Sequence, residues 1–152
     1  MPKKRNALFF VCDMLISIDR IKRHTKNLKD AYQIAENELL SGAILRDLEI
    51  IGESMNHVLK AEHIEAKPYW RDIVDFRNIA IHEYFGLSYR EIFSIIKHDI
   101  PTLEQELLEI LHDVKDKASV KTVLEDLKAE MENLHRRDSV TYITGILSKF
   151  LN

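Results

Sequence analysis

Within the run Arg77-Asn78-Ile79-Ala80-Ile81-His82-Glu83-Tyr84, a guanidinium, an imidazole and a phenol fall inside about two helical turns of one another. That set suits work on a phosphodiester. Arginine grips phosphate oxygens through a planar fork of donors, and histidine both takes and gives a proton near neutral pH. The element that must position them is a helix. Trp70, Ile73, Val74 and Ile81 recur at three- and four-residue steps on one face, and Arg77 falls within that stripe, so Arg77 is expected to point inward. At about 100° per residue, Tyr84 lies roughly 20° from Arg77, whereas His82 lies about 140° away unless the helix loosens before it. Spacing alone leaves two readings open: a catalytic trio, or a paired structural arginine, a satisfied helix-end histidine and a core tyrosine.

Composition sets the frame for that helix. With 152 residues the chain is near the commonest domain size, and only four Gly and three Pro are spread along it. Abundant Leu, Ile, Glu and Lys without alternating β-branched runs point to an all-helical protein. The single Cys12 forms no internal disulfide, and no apolar run approaches a membrane span or a secretory signal core, so a soluble cytoplasmic protein is expected. A net charge of −3 does not advertise a nucleic-acid binder, so any RNA contact must come from local patches.

A first helix is expected over residues 6–24, with Leu8, Val11, Cys12, Leu15 and Ile18 inside and Asp13, Asp19 and Lys22 outside. It ends in a basic cluster, Arg20, Lys22, Arg23, His24, Lys26 and Lys29, read as a solvated face and complement to a helix C-terminus in preference to an RNA track. A connection with a short helix follows. The second helix, over residues 42–60, carries a seam of Ile44, Leu48, Ile51, Met55 and Val58. On another face Arg46, Glu49 and Glu53 are placed to pair with each other or with an inward Arg77. No His-x-x-x-His or Cys pair accompanies these acids, so no metal site is read there.

Pro68 marks the start of the third helix and Phe85-Gly86 its end. Ser88 reads as an N-cap with Glu91 completing a capping box and Leu87 with Ile92 a hydrophobic staple, so a fourth helix starts at Tyr89. Its stripe is Ile92, Ile95, Ile96, Ile100, Leu103, Leu107 and Ile110, with a kink expected at Pro101. Beyond it Val120, Leu124, Leu127, Met131 and Leu134 form one seam and Val140, Ile143, Leu147 and Phe150 another. The pattern predicts a four-helix up-down bundle over residues 1–111 and a helical hairpin over 112–152, which either packs back on the bundle or extends an interface with a dimer mate or partner.

Three ordered blocks carry a resemblance. Arg46-Asp47-Leu48-Glu49-Ile50-Ile51-Gly52-Glu53, Tyr69-Trp70-Arg71-Asp72-Ile73-Val74-Asp75-Phe76-Arg77-Asn78 and His82-Glu83-Tyr84-Phe85-Gly86 resemble the second-helix signature, the active-site helix entry and the Arg-x4-His-x-Tyr motif of the HepT-like toxins, a branch of the HEPN ribonuclease superfamily. The likeness covers roughly residues 7–111. It implies an all-α HEPN-like bundle and a metal-independent, cofactor-free endoribonuclease acting on RNA as a homodimer. By motif position it implies Arg77 and His82 as catalytic residues, Asn78 as an orienting residue and Tyr84 as the acceptor of AMP from a minimal nucleotidyltransferase antitoxin. A second class of function fits the same residues: a non-catalytic subunit of a nucleotidyltransferase complex, in which Arg77 grips a nucleotide phosphate and His82 only donates a hydrogen bond.

Overall fold

Asparagine opens the two longest helices. The computed structural model describes residues 6–82 and 88–151, with side chains described for 6–76 and 88–150. Its elements are α1 Ala7–Thr25, α2 Tyr32–Ala35, α3 Glu38–Leu59, α4 Trp70–His82, α5 Tyr89–Ser94, a π-helical segment Ile95–Asp99, α6 Ile100–Asp113, α7 Lys117–Asn133 and α8 Arg137–Leu151. The side chains of Asn6 and Asn37 accept from the backbone N–H groups of Phe9 at 3.0 Å and Leu40 at 3.1 Å, satisfying donors that the first turns of α1 and α3 leave open. Because Asn37 caps it, α3 starts four residues earlier than Gly42, where the sequence placed it, and Gly42 becomes an interior, exposed position. The expected short helix in the connection is α2, anchored by the fully buried Ile34.

The helices alternate in direction. Arg20 reaches Asp47 while Phe10 stacks on His57 with ring centroids 4.1 Å apart, so α1 and α3 run antiparallel. α4 returns along α3, with Leu48 and Ile51 sharing a groove with Ile73 and Phe76. α6 runs down beside α1, tied by Lys22 to Glu104 at 2.8 Å. Consequently the C-terminal ends of α1 and α4, the start of α3 and the start of α5 lie at one end of the bundle, and α2 packs against both α3 and α5 there. Leu8, Trp70 and Ile110 meet at the other end.

α1 is the central helix. Val11, Cys12, Met14, Leu15, Ile16, Ile18 and Ile21 are all at most 3 % exposed, so it is buried well beyond the single face its strongest periodicity picks out. The reason is the number of helices that meet it: α3 and α6, and also α7 and α8, which pack on each other and on α1. Val120, Leu124, Leu127, Met131, Ile143 and Leu147 are buried as the seams predict, but Leu134, placed in the first seam, is 53 % exposed because α7 has ended at Asn133 and Leu134 is its cap. Polar ties hold the hairpin down. The Tyr142 hydroxyl donates to Glu104 at 3.0 Å, and burial first, then the charge of Glu104, raise the pKa of that phenol so that it stays a donor. Arg23 reaches Asp138 at 3.4 Å at the start of α8.

The fourth predicted helix exists, with a wide turn inside it. Ser88 caps α5 by accepting from the N–H of Arg90 at 3.2 Å, one residue short of the Glu91 N–H that a capping box uses. Leu87 and Phe85-Gly86 lie outside the described residues. Where a kink was expected at Pro101, a π-helical segment Ile95–Asp99 immediately precedes it. Proline offers no N–H to the turn before it and its ring crowds that turn; a wider turn removes the crowding while keeping Ile92, Ile96 and Ile100 in the core.

Candidate active site

α4 presents the motif by burying one face at its start. Trp70 and Val74 are in the core at 1 % and 3 % exposure, with Ile73 and Phe76 half-buried beside them. Packing against α3 fixes the helix from that end. The backbone then continues as helix, without a break, through Arg77, Asn78 and His82, the last residue of α4. The loosening that would have swung His82 toward Arg77 is therefore absent from the helix backbone, and the two positions keep the angular offset of about 140° that helix geometry gives them. The side chains of Arg77, Asn78, Ile81 and His82, and all of Tyr84, lie outside the described residues.

Two acids of α3 have described neighbours on their own helix. Glu49 accepts from Arg46 at 3.3 Å, and Glu53 lies 3.7 Å from His57 one turn on. Among the described residues no three His, Cys, Asp or Glu side chains converge to hold a metal ion.

The carboxylate that α3 does bury is Asp47, at 4 % exposure. Arg20 donates to the same Oδ1 of Asp47 from Nε at 3.0 Å and from Nη2 at 2.9 Å, and its Nη2 also reaches Ser17 Oγ at 3.2 Å. Sequence reading placed Arg20 in a solvated cluster and passed over Asp47. The signal was available: Asp47 stands three residues after Ile44 and one before Leu48, on the apolar face of α3, and a charge there needs a partner. Ser17, fully buried between Met14 and Ile18, marks the facing position on α1. Because Leu48 and Phe76 line one groove, the turn of α3 that carries Asp47 lies alongside the turn of α4 that Arg77 follows.

A nucleophilic role is excluded for Cys12. Burial first, then the neighbouring Asp13, push its thiol up to about 12, and it is 1 % exposed, so it has neither a thiolate nor access. On the far side of the α4 start, the Tyr69 hydroxyl donates to Glu106 of α6, whose carboxyl is held above its ordinary range chiefly by burial. No described helix is long and apolar enough to cross a membrane.

Comparison with known proteins adds to this geometry. A family model described as "Ribonuclease HepT-like" matches residues 14–110, a span running from α1 to α6 and containing all three sequence blocks. The chain is 34 % identical to a "Putative RNase" of Methanocaldococcus jannaschii over 106 residues, covering 68 % of this chain and 95 % of the relative. It is 40 % identical to a "Putative RNase" of Caldanaerobacter subterraneus over 81 residues, covering 53 % of this chain and 72 % of that one. A "Probable ribonuclease HepT" of Thermococcus cleftensis is 30 % identical over 104 residues, covering 66 % of this chain and 92 % of its own length. No solved structure matches. The family match stops before α7, so the hairpin lies beyond it.

Proposed function

Because this chain belongs to the HepT-like ribonuclease family, we propose that it is a metal-independent endoribonuclease acting through Arg77 and His82, the toxin half of a toxin–antitoxin pair. The observation that carries this reading is the uninterrupted α4, which holds Arg77 and His82 at the end of a helix anchored by Trp70, inside the segment matched by the family. In the proposed reaction His82 takes the proton of a ribose 2′-hydroxyl, and the 2′-oxygen attacks phosphorus. The Arg77 guanidinium stabilises the charge that builds on the phosphorane-like transition state. The 5′-oxygen leaves and is protonated by an imidazolium, giving a 2′,3′-cyclic phosphate and a 5′-hydroxyl. Asn78, one turn before His82, orients the imidazole or the substrate.

Two imidazoles and an arginine must meet, and one helix separates Arg77 from His82 by about 140°. A homodimer resolves this. An isologous interface presents each motif twice in one cleft, so that one His82 serves as base and the other as acid. Silencing then has a direct cause. AMP attached to Tyr84 by a minimal nucleotidyltransferase places an anionic phosphate beside the guanidinium that the scissile phosphate needs.

The experiment is incubation of the purified protein with RNA in EDTA, followed by analysis of the product termini. Cleavage that survives chelator and leaves cyclic phosphates is expected. Activity that needs added magnesium or manganese would reject the metal-free route, and no cleavage at all would favour a nucleotide-binding subunit. Incubation with the nucleotidyltransferase and ATP should add one AMP to the peptide containing Tyr84 and none to Tyr84→Phe; an adduct on Tyr69 or Tyr89 would overturn that assignment.

A further inference from the structure

The basic residues closing α1 take no part in this chemistry, and the structure sorts them. Arg20, Lys22 and Arg23 are bound to Asp47, Glu104 and the Asp19–Asp138 pair, so they hold the fold. His24, Lys26 and Lys29 are exposed and have no ion-pair partner among the described residues. Arg23, His24 and Lys26 form one wall of an open cleft of about 730 Å³, and α2 with the start of α3 forms the other. Tyr32 on α2 is 74 % exposed, and Leu39, in the cleft, is 89 % exposed.

The hairpin brings charge to the same end. Arg23 reaches both Asp138 and Ser139, which places the α7–α8 turn beside the end of α1. Arg136 and Arg137 of that turn are exposed and likewise without an ion-pair partner among the described residues. This is also the end at which α4 finishes at His82.

We propose that this surface binds single-stranded RNA flanking the scissile bond, with Lys26, Lys29, Arg136 and Arg137 neutralising phosphates and the Tyr32 ring stacking on a base. The proposal rests on the ribonuclease reading. A cationic track beside an exposed aromatic is the arrangement that holds a flexible strand without base pairing. Glu36 and Glu38 on the opposite wall repel phosphates, which keeps the backbone on the α1 side and leaves carboxylates to accept from amino groups on base edges. With an overall net charge of −3, the surface supplies locally the attraction that the whole chain lacks. Two of its four cations come from the hairpin, beyond the family match, so this chain grips more of the strand than the matched segment does.

The test is fluorescence anisotropy of a fluorescein-labelled oligouridylate, titrated with the full chain across a salt series. Helicity is checked by circular dichroism and the strand is assayed for cleavage in parallel. Replacing Lys26→Gln with Lys29→Gln, or Arg136→Gln with Arg137→Gln, should weaken binding about tenfold and flatten the log–log salt slope by about 1.4, two phosphate contacts on a single strand. Tyr32→Ala should lose about fivefold or more, with Tyr32→Phe restoring it, because stacking needs the ring and not the hydroxyl. Affinities of all variants within twofold of the parent would overturn the proposal. So would unchanged RNA binding with a shift in sedimentation toward monomer, which would give this face to a second copy of the chain. If the parent binds with this pattern of losses yet leaves the strand uncut, the RNA surface stands and the ribonuclease reading falls.

Discussion

α1 and α4 are both amphipathic by sequence, yet the fold uses them in opposite ways. α1 meets α3, α6, α7 and α8, and most of its residues from Val11 to Ile21 are buried. α4 packs chiefly on α3 among the described residues, buries Trp70 and Val74 at its start, and runs on to the motif at its end. The difference separates two tasks. A helix sunk in the core for most of its length serves packing first, whereas one anchored by its first turns can hold reacting groups at its far end. On the proposed reading, function sits at the end of α4 and rigidity comes from α1.

That contrast is open to measurement. Ile18 is fully buried on α1, so Ile18→Ala should cost about 4 kcal/mol, against about 1 to 2 for Ala at the half-buried Ile73 of α4, both read from urea unfolding midpoints. Equal costs would mean that α4 is as deeply built into the core as α1. Next in size, Asp47→Ala should cost about 3 kcal/mol, because Arg20 is left only partly exposed without its carboxylate. An Asp47→Ala, Arg20→Ala cycle that recovers most of this loss would assign it to the pair; a loss below about 1 kcal/mol would make the buried pair dispensable.

Smaller effects go the other way. Gly42 is interior to α3 and exposed, and a Cβ built on it meets nothing within 4 Å, so Gly42→Ala should raise stability by about 1 kcal/mol. Any destabilisation there would point to a neighbour on that face. Smallest is Glu106→Gln. Burial first, opposed by Lys67 and reinforced by Glu109, holds the Glu106 carboxyl above its ordinary range. A carboxyl whose folded pKa is raised contributes stability below its unfolded pKa and loses it as pH rises through the folded value. Glutamine still accepts from Tyr69, so the variant should melt slightly higher than the parent near neutral pH and no higher at about pH 4, and the reverse order would contradict the burial argument.

Much of this was legible in the chain. The five-residue seam of α3, the starts of α1 and α5, and the hairpin followed from periodicity and caps, because those are local rules. What periodicity missed was tertiary. Met14, Ile16 and Ile21 lie off the main stripe of α1 and are buried because helices from four parts of the chain, α3, α6, α7 and α8, meet it. Arg20 looked like one more surface cation until Asp47, 27 residues on, was brought against it. Pro101 signalled a change in the helix, and its form, a π turn just before the proline, was not legible because proline says that the turn must change without saying how. Arg77, Asn78 and His82 were placed on one helix by spacing, and α4 is that helix; their roles came from the resemblance, since a 3.6-residue period carries no information about chemistry.

The central claim is that the end of α4 is the working part of the molecule. The most direct measurement is cleavage of RNA by the parent, His82→Ala and Arg77→Ala proteins in EDTA, side by side, with circular dichroism to show that each is folded. The account predicts that the parent cuts and that each substitution lowers the rate by about 100-fold or more, the range expected on removing a general acid–base or a transition-state charge partner. A folded His82→Ala protein that cuts RNA as fast as the parent would contradict it.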